Sequence, residues 1–134
     1  MKSRPVVIYV LLAFVILSCN SSFEDSIEYD VPGEISIFSV PDSAPSAAIP
    51  VHIAGLLGRT TAFSFQGVEY LRTDSLFEFR VHGRRIDRLG EVYTVKDISF
   101  DTTLVLSTSP PRVGQHLFRV YGSNGTFQDT CKLY

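Results

Sequence analysis

The sequence predicts an all-β fold: a single antiparallel β-sandwich of about seven or eight strands over residues 34–134. Short runs of alternating apolar and polar residues dominate this region, and turn residues separate them. No stretch of about ten residues holds an apolar stripe at helical spacing. The runs recur about every 8 to 12 residues, which is the strand density typical of a sandwich.

The first half of the domain supplies four candidate strands. "GEISIFSV" (33–40) is closed by "PDSAPS", whose prolines cannot donate to a strand ladder, and "IPVHIAGLLG" (49–58) is the second strand. In "TAFSFQGVEYLRT" (61–73), Gly67 predicts a bend or a bulge. "SLFEFRVHG" (75–83) predicts an amphipathic strand with Phe77, Phe79 and Val81 facing the core.

The second half continues with "EVYTV" (91–95) and "TTLVLS" (102–107) and ends in a predicted hairpin. "HLFRVYG" (116–122) and "TFQDTCKL" (126–133) flank "SNG", and Asn124-Gly125 favours the positive φ angles of a tight hairpin turn. Alternation places Cys131 beside Leu133 on the core face, which predicts a buried thiol. A disulfide to Cys19 and a reactive thiol are the alternatives.

The chain begins with a segment typical of export signals. Lys2 and Arg4 precede an apolar run from Val6 to Leu17, which is shorter than the roughly 20 residues that a membrane-spanning helix needs. A signal peptide over residues 1–18 is therefore predicted. A retained membrane helix and an ordinary signal followed by an ordinary cysteine are the alternatives.

The end of this run, "ILSC" (16–19), resembles the lipobox of bacterial lipoproteins, in which two apolar residues and a small residue precede cysteine. The resemblance implies cleavage between Ser18 and Cys19 and a lipid attached to the Cys19 sulfur. Two or three acyl chains hold a protein stably, since each buried methylene contributes about 0.8 kcal/mol. We therefore expect the protein in the bacterial cell envelope, on the outer rather than the inner membrane.

An acidic segment follows, with no Lys or Arg between Cys19 and Glu34. We predict a flexible, hydrated tether over residues 19–33, between the lipid and the domain. Its acids are also compatible with a surface-export mark, as in some lipoproteins of the Bacteroidota, or with repulsion from anionic headgroups. The segment contains Glu24, Asp25, Glu28 and Asp30.

The stretch "PPRVGQHLFRVYGSNG" (110–125) resembles the penultimate strand of immunoglobulin-like and fibronectin type III-like modules, and "FDTTLVLSTSPP" (100–111) resembles the strand before it. The resemblance implies an immunoglobulin-like sandwich. The sequence has no Trp and only 2 Cys, unlike antibody domains. Because such folds host unrelated functions, the resemblance concerns architecture alone.

Residues that carry chemistry are sparse. His52, His82 and His116 fall in three separate predicted strands, and no zinc, calcium or phosphate-loop motif occurs, so neither a metal site, a cofactor nor a catalytic residue is predicted. One cluster could bind phosphate or carboxylate groups of an anionic polymer. It consists of Arg80, Arg84, Arg85 and Arg88 in "FRVHGRRIDRLG" (79–90).

These observations predict a non-enzymatic lipoprotein whose sandwich is a binding or structural module. Its partners would be the membrane, through the N-terminal lipid, and an envelope polymer or protein. Nucleic acid is not expected, because the net charge is −2 and no aromatic residues alternate with the arginines. The alternative is a small periplasmic enzyme or enzyme inhibitor with a site built from loops.

Overall fold

The computed structural model describes residues 26–134. The predicted signal peptide, Cys19 and residues 19–25 of the predicted tether lie outside the described residues. The described part forms nine strands: β1 (Ser26–Pro32), β2 (Glu34–Ser39), β3 (Ser43–Ala44), β4 (Ile49–Thr60), β5 (Phe63–Arg72), β6 (Leu76–Arg88), β7 (Val95–Leu106), β8 (Gly114–Gly122) and β9 (Gly125–Leu133).

The strands form two sheets that pack face to face, so the predicted all-β sandwich is confirmed. The six-stranded sheet has the order β1-β6-β8-β9-β3, with β5 on the other edge of β6, and the three-stranded sheet has the order β2-β4-β7. Two pairings are parallel, β6 with β8 and β3 with β9, whereas the sequence predicted antiparallel neighbours. Local alternation specifies the face of each side chain but not the direction of its neighbour.

The tether predicted over residues 19–33 is wrong for Ser26–Pro32, because these residues form β1 and pair with β6 from Arg88 back to His82. Pairing along β6 explains how so acidic a segment becomes ordered, since Asp30 lies opposite Arg84 and Glu28 forms an ion pair with the same arginine. The domain therefore begins before residue 34. β1 and β8 occupy the same edge of β6 one after the other, at His82–Arg88 and at Leu76–Arg80 respectively.

The core lies between the sheets and is built from the predicted alternation. The side chains of Phe77, Phe79 and Val81 in β6 are buried, as predicted. Phe77 stacks on Phe118 with the ring centroids 4.6 Å apart. Each large apolar side chain that is fully buried stabilises the fold by about 1.5–3 kcal/mol. The other large side chains that are fully buried are Ile35, Ile49, Val51, Ile53, Val120, Cys131 and Leu133.

Side chains from the β8–β9 hairpin also form hydrogen bonds with backbone groups in and next to β2 of the opposite sheet. Asn124 accepts a hydrogen bond from the Ile35 amide at 3.0 Å and donates to the Ile35 carbonyl at 2.8 Å. Asp129 Oδ2 accepts from the Val40 amide at 2.9 Å. These bonds satisfy polar groups that the edge of β2 would otherwise leave unpaired.

Three local predictions, for a bend or bulge, a hairpin turn and a strand, can be compared with the structure. A bend or a bulge was predicted at Gly67, and the structure has a bulge, because the register of β5 on β6 shifts between Phe65 and Gly67 and Gly67 has a φ of 146°. In the β8–β9 hairpin, Gly125 has a φ of 135°, but Asn124 does not adopt a positive φ. The strand predicted at "EVYTV" is wrong for residues 91–94, because the Glu91 amide donates to the Arg88 carbonyl at 3.2 Å and closes a turn there.

Candidate functional site

Charged side chains collect on the solvent side of the six-stranded sheet, which we call the charged face. Alternation along β6 places Glu78, Arg80, His82 and Arg84 on this side, while Phe77, Phe79 and Val81 point into the core. The neighbouring strands add Glu28 and Asp30 from β1, Glu69 from β5, and Arg119 and Tyr121 from β8, in the registers that pair them with β6.

The four arginines of the predicted cluster do not meet at one point. Arg80, Arg84 and Arg88 share the charged face, whereas the odd position of Arg85 places it on the other side of β6, with its guanidinium 5.4 Å from the ring centroid of Phe63. A single pocket of four guanidinium groups is therefore not formed.

Carboxylates hold three of these arginines. Arg84 forms an ion pair with Glu28 of β1, Arg85 Nε lies 3.0 Å from Asp87, and Arg88 lies 3.7 Å from Glu91. Asp87 and Glu91 are near neighbours in sequence, whereas Glu28 arrives from the strand that the sequence predicted as tether. These pairs reduce the positive potential that an anionic ligand would meet.

Arg80 has a different environment from the other three. Its guanidinium lies over the ring of Tyr121, 5.7 Å from the centroid, in a cation–π contact. The side chain is exposed, and Glu69 is its cross-strand neighbour in β5. Arg80 is thus the member of the cluster whose guanidinium is exposed to solvent while it packs on an aromatic ring.

Beside Arg80 lies a compact polar network that joins β6 to β8. The Tyr121 hydroxyl donates to Glu78 Oε1 at 2.5 Å, and Arg119 Nη1 lies 3.3 Å from the Tyr121 hydroxyl and 3.4 Å from Glu78 Oε1. The hydrogen bond to Tyr121, together with the Glu78 carboxylate, raises the pKa of Arg119. The network fixes the Tyr121 ring on which Arg80 rests.

A shallow groove of about 250 Å³ runs between β1 and β5 over the C-terminal half of β6. His82 lies in it with Nε2 3.0 Å from Glu69 and Nδ1 3.5 Å from Asp30. Both ring nitrogens thus face carboxylates, which leaves neither oriented toward a hydroxyl nucleophile. The lining carries both signs of charge, through Glu28, Asp30 and Arg84.

The three histidines lie far apart, as predicted from their separate strands. His52 of β4 is on the three-stranded sheet and contacts Asp101 at 2.7 Å. His116 is buried against Phe77, and its Nδ1 lies 3.0 Å from the Gly114 carbonyl. Within residues 26–134, no three acidic, histidine or cysteine side chains lie close enough together to hold a metal ion.

The predicted burial of Cys131 is confirmed, since this residue is 0% exposed and its thiol is free. Burial, with smaller contributions from Asp129 and Asp42, raises the pKa of the Cys131 thiol. The protonated form is therefore favoured, which makes this cysteine a poor nucleophile. The alternative of a bond to Cys19 concerns a residue outside the described range.

Comparisons with known proteins found no match among family models, curated proteins or solved structures. In the part of the chain that the structure describes, no helix is long and apolar enough to span a bilayer.

Proposed function

We propose that this protein is a lipoprotein of the bacterial cell envelope, held through lipid on Cys19, whose sandwich serves as a non-enzymatic binding or structural module. The observation that carries this proposal is the sequence Ile16-Leu17-Ser18-Cys19 at the end of an uncharged apolar run. Attachment at Cys19 would place the lipid seven positions before Ser26, where β1 begins. The outer membrane is the proposed location.

Mass spectrometry of the mature N-terminus tests the anchor. The expected product begins at Cys19 and carries the added mass of a diacylglyceryl group and an acyl chain. The matched control is the full chain with Cys19→Ala, which has no sulfur at position 19 to carry the lipid and should lack the added mass. A mature chain that begins elsewhere, with Cys19 unmodified, overturns the proposal.

For the binding module, the charged face around Arg80 is the proposed contact surface for an anionic envelope polymer. Arg84, Arg85 and Arg88 contact carboxylates of this chain, whereas Arg80 offers its guanidinium on the Tyr121 ring. Guanidinium groups bind phosphate and carboxylate in bidentate geometry, which suits them to such polymers.

Retention on an immobilised anionic glycolipid tests this surface. Arg80→Gln is expected to lower retention, and added salt should lower that of the wild type, because screening weakens exposed charges. Arg59→Gln is the matched control, since Arg59 is an exposed arginine that pairs with Asp97 at 3.7 Å on the other sheet. Equal retention of both variants and the wild type at every salt concentration removes the anionic ligand from the proposal.

A further inference from the structure

Four apolar side chains are exposed at the same end of the sandwich, which we call the apolar tip. The turn between β6 and β7 exposes Leu89 by 84% and Val92 by 93%, and Val95 at the start of β7 is 84% exposed. Ile27 of the adjacent β1 is 60% exposed and pairs with Asp87, two positions before Leu89. Apolar groups presented together to solvent are characteristic of an interaction surface.

The tip is an ordered part of the domain. The Glu91 amide donates to the Arg88 carbonyl at 3.2 Å, and Gly90, with a φ of 78°, supplies the left-handed conformation that the turn requires. The Tyr93 hydroxyl accepts from the Arg88 amide at 2.7 Å. The backbone of the turn is thus hydrogen-bonded inside the domain, while the side chains of Leu89 and Val92 point away from it.

Three arginine–carboxylate pairs lie around the tip, and the exposed Lys96 lies next to Val95. Arg88 lies 3.7 Å from Glu91, Arg85 lies 3.0 Å from Asp87, and Arg59 lies 3.7 Å from Asp97. A surface of apolar side chains whose arginines are already paired with carboxylates gains less from an anionic partner than from an apolar medium. This pattern distinguishes the tip from the charged face around Arg80.

The chain also enters the domain at this end. Ser26, the first residue of β1, pairs with Arg88, next to Leu89. The opposite end holds Val113 and the C-terminus, because Gly114 pairs with Leu133. Residues 20–25 separate Cys19 from Ser26, and a fully extended chain of this length reaches roughly 24 Å. A lipid on Cys19 would therefore keep the tip within a short distance of the bilayer.

We propose that the apolar tip rests in the interfacial region of the bilayer that holds the lipid of Cys19, with Leu89 and Val92 inserted among the headgroups. The proposal rests on the lipoprotein function proposed above. Side chains buried to such a depth gain the free energy of transfer from water. The sandwich then stands with Val113 and the C-terminus pointing away from the membrane.

Tryptophan fluorescence tests this orientation, because the natural sequence contains no Trp. The mature lipoprotein with Val92→Trp is reconstituted into phosphatidylcholine vesicles whose acyl chains carry bromine, which quenches nearby indoles. Val113→Trp is the matched control, since Val113 is 79% exposed at the opposite end. Both substitutions alter exposed side chains, and circular dichroism verifies that each variant keeps its strand content.

Brominated lipid is expected to lower the emission of Val92→Trp about twofold, since interfacial insertion places the indole near the start of the acyl chains, and to leave Val113→Trp unchanged. Adding Leu89→Asp to Val92→Trp should restore most of the emission. The quenching should persist when salt is raised from about 0.1 M to about 1 M, because the Debye length falls from about 10 Å to about 3 Å without affecting apolar burial.

Three results overturn the inference. Equal quenching at positions 92 and 113 contradicts the orientation, and absence of quenching at both positions in a chain whose Cys19 is shown by mass spectrometry to carry lipid contradicts the membrane contact alone. In that case the tip would serve a protein partner. A chain without lipid on Cys19 overturns both the lipoprotein function and the inference that depends on it.

Discussion

Replacing Tyr29 by proline is expected to destabilise the domain, because β1 is a strand of the six-stranded sheet. Pro32, which has no amide hydrogen, pairs with His82, so this pair is best explained as a non-hydrogen-bonded pair of the antiparallel ladder. Alternation along β1 then predicts that Tyr29 donates its amide to β6 and that Asp30 points its amide to solvent.

The expected loss of folding free energy follows from the interactions that proline removes. Tyr29→Pro deletes one ladder donor, leaves a carbonyl of β6 without its partner and forces the ring against the paired strand, at a total cost of about 1–3 kcal/mol. The Tyr29 side chain is 47% exposed, so the loss of its packing is the smaller part. Asp30→Pro keeps the ladder intact and should cost less than about 1 kcal/mol, mainly for the lost contact with His82.

Guanidinium unfolding followed by circular dichroism measures both costs, with Tyr29→Ala and Asp30→Asn as controls for the side chains alone. The free energy of unfolding should fall in the order wild type, Asp30→Pro, Tyr29→Pro, with similar denaturant slopes. Equal stability of all five proteins would mean that Ser26–Pro32 does not pair with β6. The orientation inferred for the apolar tip would then lose its support.

Three further predictions concern the core and the link between the sheets. Phe79→Ala, at a position that is 0% exposed, should lower the free energy of unfolding by about 3–5 kcal/mol, measured by the same unfolding assay. Asn124→Ala should cost about 1–3 kcal/mol, because both backbone groups of Ile35 lose their partner. The raised pKa of Cys131 stabilises the fold at neutral pH, so this contribution should disappear as alkaline pH passes the folded pKa, in the wild type but not in Cys131→Ala. The role assigned to each position would be contradicted if Phe79→Ala were as stable as the wild type, if Asn124→Ala were as stable as the wild type, or if the wild type and Cys131→Ala lost stability identically at alkaline pH.

The sequence was most informative where burial imposes a strict alternation. Phe77, Phe79 and Val81 could be assigned to the core because the side-chain period of a strand is fixed. Gly67 could be assigned to a bend or a bulge because a glycine within a strand pattern is typical of one. Cys131 was predictable for the same reason. Each of these predictions depends on local geometry alone.

The pairing of β1 could not be recognised in the same way. Ile27, Tyr29 and Val31 do alternate with acidic residues. In the sequence, however, so acidic a segment has the composition of a solvated spacer, and an edge strand with exposed side chains has the same composition. The partner that orders it, β6, begins at Leu76, and its register is not encoded in either segment alone. The ion pair between Glu28 and Arg84 therefore could not be predicted from the sequence.

Gly67 has a further consequence for a protein crowded among copies of itself. In the described sheets β5 pairs with β6 and with no other strand. The outer edge of β5 is therefore open to another chain. The extra residue at Gly67 interrupts the even spacing of amide and carbonyl groups halfway along that edge. Tethering to a membrane would confine many copies to two dimensions and raise their encounter rate, and this interruption would then discourage them from joining edge to edge into aggregates.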